Sequence, residues 1–249
     1  MEIHKPKPFH NWREFLKEYA IIVIGVLTAL GAEQAVESWH WQHRVHDAME
    51  AMRLELRDDD APQAYTRAAA MRCFDNQLSA IQAAIEAGRS RADITALVDG
   101  FTLPSRSWDS NAWDAMLSSG VAAHVAPDKM IKLGQVYAAM PIARAVTAQE
   151  DADKVALRPT RQSGAGLSTS EADTMLAAIA RLRAHNRRFG EGSNYLLAII
   201  AQNGVVLAPE QKTRILADLH TRYGDCVVKP AGITIDPNAQ LDTTHPAGE

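Results

Sequence analysis

The sequence lacks the motifs that mark the common enzyme families. It has no Gly-rich phosphate-binding loop and no HExxH, GxSxG or CxxC pattern, each of which sets catalytic or ligand groups at a fixed spacing. Its serines, histidines and aspartates are scattered, so no nucleophile with its base stands out. We therefore expect a protein that is not an enzyme, and we assign no catalytic residue.

A strong charge of either sign, a strand pattern and internal repeats are also missing. The formal net charge is −4 over 249 residues, which gives no electrostatic footprint for nucleic acid, so no nucleic-acid partner is expected. Beyond the first 40 residues, almost every apolar pattern has the spacing of a helix. The predicted fold class is therefore all-α.

Cysteine is scarce, with only Cys73 and Cys226, far apart in the sequence. In an exported domain the two could form a disulfide, because that compartment is oxidising. The alternative is a small buried hydrophobic side chain at Cys73 and an unpaired thiol near the carboxyl end. Sequence alone does not give the geometry that decides between them.

One apolar run dominates the amino-terminal region. Tyr19 to Ala32 are 14 residues without a charge, which is short for a bilayer core that needs about 20 helical residues. The flanks favour a longer span, since Trp12 precedes the run and Trp39 and Trp41 follow it. Trp12 and Trp39 would lie about 40 Å apart along a helix, which matches a bilayer with its headgroup layers.

The distribution of basic residues predicts the orientation. Lys5, Lys7, Arg13 and Lys17 precede the span, and only two arginines follow it closely, so the amino end is expected in the cytoplasm. The bulk of the chain is then expected outside, in the periplasm if the source is Gram-negative. The alternative is a cleaved signal peptide with a site near Ala29-Leu-Gly31. A long leader that contains acidic residues favours retention in the inner membrane.

The chain is thus predicted to be a single amino-terminal transmembrane helix that continues into a periplasmic helical bundle. The bundle helices are separated by a break at Asp58–Pro62, where Asp60 can act as an N-cap, and later by polar loops. Ser170 with Asp173 is expected to cap the longest bundle helix. The predicted domains are a cytoplasmic leader at 1–17, a transmembrane helix at 18–38, a periplasmic α-helical domain at 39–229 and a disordered tail at 230–249.

Part of the span predicts contact with a partner as well as with lipid. Gly25, Ala29 and Ala32 share one helix face, and small residues at this spacing permit close approach of another transmembrane helix, from a partner protein or a second copy. Glu33 is either a functional carboxylate at membrane depth or a side chain that reaches water at the outer interface. The expected membrane contacts are completed by Trp12, Trp39 and Trp41.

The segment after the span carries the best candidate for a ligand site. His40, His43 and Asp47 lie on one helix face, and imidazole with carboxylate is a suitable ligand set for Zn²⁺ or Cu²⁺. The same face could report pH, because histidine titrates near 6.5. The third alternative is a water-facing surface on which histidine is tolerated. No other cofactor is expected.

Two further patterns have a functional and a structural interpretation. Trp108 and Trp113 flank polar residues and could form a carbohydrate shelf, although core packing with a helix cap is the more common role of such a pair. Arg181, Arg183, Arg187 and Arg188 form a basic patch that could meet anionic groups, or a solvated face with i,i+4 pairing.

The amino-terminal pattern resembles a group of uncharacterised bacterial single-pass membrane proteins. Asn11-Trp-Arg-Glu-Phe-Leu16 runs into Ile21-Ile-Val-Ile-Gly-Val-Leu-Thr-Ala-Leu30, as an NWREF-like leader runs into an IGVLIAL-like span in that group. The stretches Trp113–Gly120 and Pro127–Tyr137 also look like its middle part. The resemblance covers roughly the first 140 residues and implies topology only, because the group has no established function.

Taken together, the sequence predicts a membrane-anchored periplasmic interaction, scaffold or accessory protein. The alternatives are a metal- or pH-responsive module that uses the histidine face, and an envelope enzyme with a cleft near Trp108 and Asp109.

Overall fold

The computed structural model describes residues 12–103, 107–159 and 166–230, except for the side chain of Glu14. Within these ranges every regular element is a helix and there is no strand, so the all-α prediction is confirmed. Most of the predicted leader, at 1–11, and the predicted tail from residue 231 lie outside the described residues.

The described part of the chain contains seven α-helices. A five-residue π-helical turn, Leu56–Asp60, links the first two, and 3₁₀ turns at Val121–His124 and Gly224–Cys226 follow α4 and α7. The helices are α1 (Trp12–Glu55), α2 (Ala61–Glu86), α3 (Arg91–Gly100), α4 (Asn111–Ser118), α5 (Pro127–Ala156), α6 (Thr169–Gln202) and α7 (Pro209–Tyr223).

The predicted break at Asp58–Pro62 is wrong. Helix α1, the π-turn and α2 form one uninterrupted helical segment, because Asp60 keeps helical backbone angles (φ −74°, ψ −43°) and its side chain caps nothing. Pro62 falls in the first turn of α2, where a proline needs no backbone N–H partner. Pro62 has no backbone N–H to donate, and the wider i→i+5 pattern of the π-turn accommodates this missing hydrogen bond.

The amino-terminal half of α1 packs against no other described element. Its large apolar side chains are exposed, as Ile21 at 70% and Ile24 at 62% show. The segment Phe15–Glu86 is the one helical stretch among the described residues that is long and apolar enough to cross a membrane, and its most apolar window has no burial within the chain. A core helix of a water-soluble domain would have these side chains covered.

The bundle begins where α1 first meets other elements. α6 packs along α2 and α5, and α7 packs on α2. The interior has two clusters, one around Leu56, Tyr65 and Tyr137 and the other around Phe74 and Ile179. Of the residues that the helical spacing predicts to face inward, Met71 and Met130 are only partly buried. The others are buried, namely Phe74, Leu78, Ile81, Ile85, Leu133, Val136, Tyr137 and Met140.

Helix α6 differs from its prediction at its start. Its cap is a reciprocal pair between Ser168 and Glu171, two residues before the predicted Ser170 and Asp173. The helix continues through Gly190 and Gly192, and α2 approaches it closely at Gly190 only. A Cβ at Gly190 would lie 1.5 Å from the sulfur of Met71, whereas a Cβ at Gly192 would meet nothing within 4 Å.

This pair of glycines gives a matched stability test. We expect Gly192→Ala to stabilise the protein by about 0.5–1 kcal/mol, since alanine restricts the unfolded chain and favours a helix. Gly190→Ala should be less stable than Gly192→Ala, because Met71 must move to admit the methyl group. Thermal unfolding of the two variants in detergent measures the difference, and equal midpoints would contradict the close approach of α2 and α6.

Cys73 of α2 and Cys226 of the last 3₁₀ turn form a disulfide, with Cα atoms 5.0 Å apart. The adjoining segment is fixed on the same face of α2. The Arg72 guanidinium donates to the carbonyl oxygens of Asp225 and Cys226 at 2.9 and 3.0 Å, and the amide of Val228 donates to the Ala69 carbonyl at 3.1 Å. The disulfide and these hydrogen bonds therefore hold the chain after α7 against α2.

Candidate functional site at the start of the bundle and the π-turn

The bundle first touches α1 just beyond the exposed apolar stretch. Trp41 is partly buried and stacks on His124 with ring centroids 3.9 Å apart, and the Arg44 guanidinium lies 4.6 Å from the Trp41 ring centroid. Trp39, two residues earlier, is 60% exposed. α1 is therefore unpacked before the level of the turn Val121–His124, and beyond it α1 packs as part of the bundle.

Of the predicted membrane and partner contacts, only Trp41 packs against the bundle, where it stacks on His124, so its prediction as a contact residue is corrected. Gly25, Ala29, Ala32 and Glu33 are exposed, as is Trp12. A Cβ at Gly25 would meet nothing within 4 Å, so no described part of the chain occupies this face. The structure leaves the small-residue face open to lipid or to another helix.

The histidine face is also exposed. His40, His43 and Asp47 project from the first turns after the apolar stretch, and His43 lies against Trp39, with its Nδ1 3.0 Å from the Trp39 carbonyl oxygen and the rings 4.3 Å apart. Across the described ranges no three His, Cys, Asp or Glu side chains assemble as a metal-binding group. Metal binding by this face stays a prediction.

The metal interpretation has a direct test in the full chain purified without a histidine tag. It predicts that bound Zn²⁺ or Cu²⁺, measured by mass spectrometry of the metals, falls at least severalfold in His40→Ala/His43→Ala because two imidazole ligands are lost. His46→Ala is the matched control on an adjacent face and should keep the metal. An unchanged metal content in the double variant would rule the site out.

A second candidate site lies at the π-turn, and sequence reasoning missed it. Asp60 is fully buried (0% exposed), and neither carboxyl oxygen has a hydrogen bond of ordinary geometry. Burial, followed by the carboxylates of Glu55, Asp109 and Asp59, raises the pKa of Asp60 to about 8, and the nearby Asp109 amide opposes this rise. The side chain is therefore neutral over much of the physiological pH range.

The adjacent carboxylate of Glu55 joins three helices. It accepts a hydrogen bond from the Tyr137 hydroxyl of α5 and another from the Ala112 amide at the start of α4, each at 3.0 Å. Burial and the proximity of Glu55 raise the pKa of Tyr137 well above its usual value. Trp113 stacks on Tyr137 at 5.1 Å. Glu55 and Asp60 thus place two carboxyl groups, one hydrogen-bonded and one unpartnered, where α1, α4 and α5 meet.

The sequence did contain a signal for Asp60. The apolar stripe of α1 runs through Val45, Met49, Met52 and Leu56, and a further step of four places residue 60 on the same inward face. The run of three aspartates before Pro62 predicted a loop instead, so the inward position was overlooked.

Trp108 and Trp113 pack in the core and do not form a shelf. Trp108 is 2% exposed and its indole N–H donates to the Thr147 hydroxyl at 3.3 Å, while Trp113 lies on Tyr137. The polar residues beside them line an open depression of about 510 Å³ that includes Asp109 and Arg144.

The arginine patch on α6 is paired in a different way from the one expected. Arg181 donates to Asp153 of α5 at 2.7 Å, and Arg183 lies 3.3 Å from Asp75 of α2. These pairs cross between helices, whereas the predicted i,i+4 pairs lie within one helix. Arg187 and Arg188 are exposed.

No family model, curated protein or solved structure matches the chain.

Proposed function

We propose that the protein is a single-pass protein of the bacterial inner membrane whose periplasmic helical bundle acts as a non-catalytic interaction or scaffold module. The observation that carries this proposal is the exposed apolar half of α1, which the rest of the described chain does not cover. About 25 cal/mol per Å² of apolar surface favours its removal from water. A bilayer provides that environment for a helix of this length.

Two features support the orientation and the compartment. Basic residues are concentrated before the apolar stretch, which favours a cytoplasmic amino end. The disulfide between Cys73 and Cys226 is a bond that persists in an oxidising compartment and is rare in the cytoplasm. Both features favour a periplasmic bundle.

The exposed small-residue face of the proposed membrane helix supports an interaction role. The face of Gly25, Ala29 and Ala32 is open, and small residues allow helix backbones to pack closely inside a bilayer. The same helix continues without a break into the bundle core, so a partner bound in the membrane would hold the bundle at a fixed distance and angle.

Protease accessibility in spheroplasts tests the topology. We expect external protease to degrade the bundle, the chain to remain in the membrane fraction after carbonate washing, and the two cysteines to resist alkylation until they are reduced. A mature chain that begins near residue 32 would show signal-peptide cleavage instead. Full protection of the bundle without detergent would refute the periplasmic placement.

Site-specific photo-cross-linking tests the partner. A photoreactive amino acid at Ala29 should cross-link to a protein, either a second copy or a partner, in native membranes. The same group at Leu27, on the opposite side of the helix, is the matched control and should react mainly with lipid. Identical products at the two positions would argue against a specific helix contact.

A pH-responsive role is the second candidate, because the unpartnered Asp60 lies inside the segment that joins the anchor to the bundle. A metal-responsive role depends on the histidine face. An envelope enzyme would have to use the depression beside Asp109, where the Ser110 hydroxyl donates to the Asp114 carboxylate at 3.0 Å.

A further inference from the structure

A cavity of about 290 Å³ lies between the start of α2, the end of α6 and the segment that follows α7. Its walls are mostly apolar and include Ala61, Leu197 and Val205. This volume is at the small end of the range of about 300–1,000 Å³ for sites that bind small organic molecules. The cavity therefore fits a short apolar body, such as a medium-length acyl chain.

Two polar side chains at the wall have hydrogen-bonding capacity left over. The buried Tyr65 hydroxyl and the Oδ1 atom of Asn194 have no hydrogen-bond partner, and both residues line the cavity. Buried polar atoms are almost always paired in proteins, by protein groups, water or ligand. Their presence at the edge of an apolar cavity is typical of a site in which a few polar groups orient a ligand.

The charges around the cavity have one sign. Lys212 of α7 and Lys229 of the following segment line it, and no carboxylate does so among the described residues. Neither lysine takes part in an ion pair with any residue that the structure describes. The two ammonium groups come from separate elements and meet at this cavity because the disulfide holds the segment after α7 against α2.

We infer that this cavity binds an anionic amphiphile, with the acyl chain among the apolar residues and the carboxylate or phosphate head near Lys212 and Lys229. Burial of the chain supplies about 0.8 kcal/mol per methylene group. The two lysines select for an anionic head over a neutral one.

The position of the cavity identifies the source of the ligand. Ala61 follows Trp39 by 22 positions in the chain, and a helix rises about 33 Å over that length. If Trp39 lies at the membrane surface, as the proposed function requires, a lipid that remains in the bilayer cannot reach the cavity. The ligand is then a free amphiphile of the aqueous compartment, such as a fatty acid monomer.

Equilibrium dialysis of isotope-labelled dodecanoate against the full chain in nanodiscs of zwitterionic lipid tests the site, with empty nanodiscs subtracted. We expect one saturable site per chain.

Ala201→Trp, at an exposed position on the cavity wall, should abolish binding by filling the space. Lys212→Gln/Lys229→Gln should raise Kd about tenfold, and dodecanol should bind about tenfold more weakly than dodecanoate. Lys129→Gln/Lys132→Gln, at exposed positions that do not line the cavity, is the control and should bind as the parent does.

Several results would overturn the inference. Binding that is equal in the parent and in Ala201→Trp would place the amphiphile elsewhere, and equal affinity for dodecanol would remove the role of the lysines. The two lysine variants change surface residues, so they remain informative if Ala201→Trp does not fold. Competition by anionic phospholipid in the nanodisc would show a bilayer source and contradict the free amphiphile. Failure of dodecanoate binding leaves the topology experiments unaffected.

Discussion

Replacing Asp60 by Asn is expected to stabilise the bundle strongly at pH 8.5 and hardly at all at pH 4. Asn has nearly the shape of a protonated Asp, but it carries no charge at any pH. A pKa that rises from 3.8 to about 8 on folding corresponds to a free energy on the order of 5 kcal/mol. This is the amount by which a buried, ionised Asp60 would oppose folding above pH 8.

The direction of the pH dependence follows from proton binding. Between pH 4 and pH 8 the folded chain holds a proton on Asp60 that the unfolded chain has released, so the free energy of unfolding falls as the pH rises through this interval. Below pH 4 both states are protonated, and above pH 8 both are ionised. The contribution of Asp60 is therefore constant outside the interval.

Urea unfolding of the full chain in detergent, followed by near-ultraviolet circular dichroism at pH 5 and pH 8.5, measures this effect. The loss of stability between the two pH values should be several kcal/mol smaller in Asp60→Asn than in the parent. Asp59→Asn removes an exposed carboxylate one residue away and should change little. If the parent and Asp60→Asn lost the same stability between the two pH values, Asp60 would not be buried as described.

The second large effect is expected from Glu150→Gln, which should cost about 3–5 kcal/mol. Glu150 of α5 and Arg67 of α2 form an ion pair in which each side chain is 1% exposed. The Arg67 guanidinium also lies 4.9 Å from the Phe74 ring centroid and 5.1 Å from that of Phe189. Removing the carboxylate takes the Glu150 charge from a buried arginine, and loss of one member of a buried ion pair is strongly destabilising.

A double substitution distinguishes the contribution of the ion pair from the contribution of the packing of the two side chains. We expect Arg67→Met/Glu150→Leu to recover most of the stability lost in Glu150→Gln, because apolar side chains of similar size need no counter-ion. The exposed pair Arg53–Glu50, with side chains 46% and 43% exposed, is the control, and Glu50→Gln should cost far less than Glu150→Gln because water screens an exposed pair. Thermal or urea unfolding measures all three variants. A cost for Glu150→Gln as small as that of Glu50→Gln would contradict the buried pair.

The helical fold and its apolar seams could be predicted from the sequence because they depend on local spacing. The helix Pro209–Tyr223 has the predicted bounds, since a proline starts it and a glycine follows it. The disulfide could not be decided in advance, because whether Cys73 and Cys226 meet depends on how α7 returns along α2. Local pattern contains no information about that path.

The candidate sites show the same division between local and long-range information. His40, His43 and Asp47 share a helix face, as the 3.6-residue period requires. The connection of Glu55 to Tyr137 and Ala112 joins residues far apart in the sequence, so only packing reveals it. Asp60 was misassigned because a local turn signal outweighed a continuing apolar stripe. The cavity beside Lys212 and Lys229 depends on the disulfide, so it could not be predicted from the sequence either.

The unbroken course from the apolar stretch to Glu86 has a mechanical consequence. Trp39 and Glu86 are 47 positions apart, a length of about 70 Å in a helix. If the apolar stretch spans a bilayer as proposed, a change of about 10° in its tilt would move the distal end of this continuous helix sideways by about 12 Å. Membrane helices adjust to bilayer thickness by tilting, so such an adjustment would produce a larger displacement at Glu86 than at Trp39.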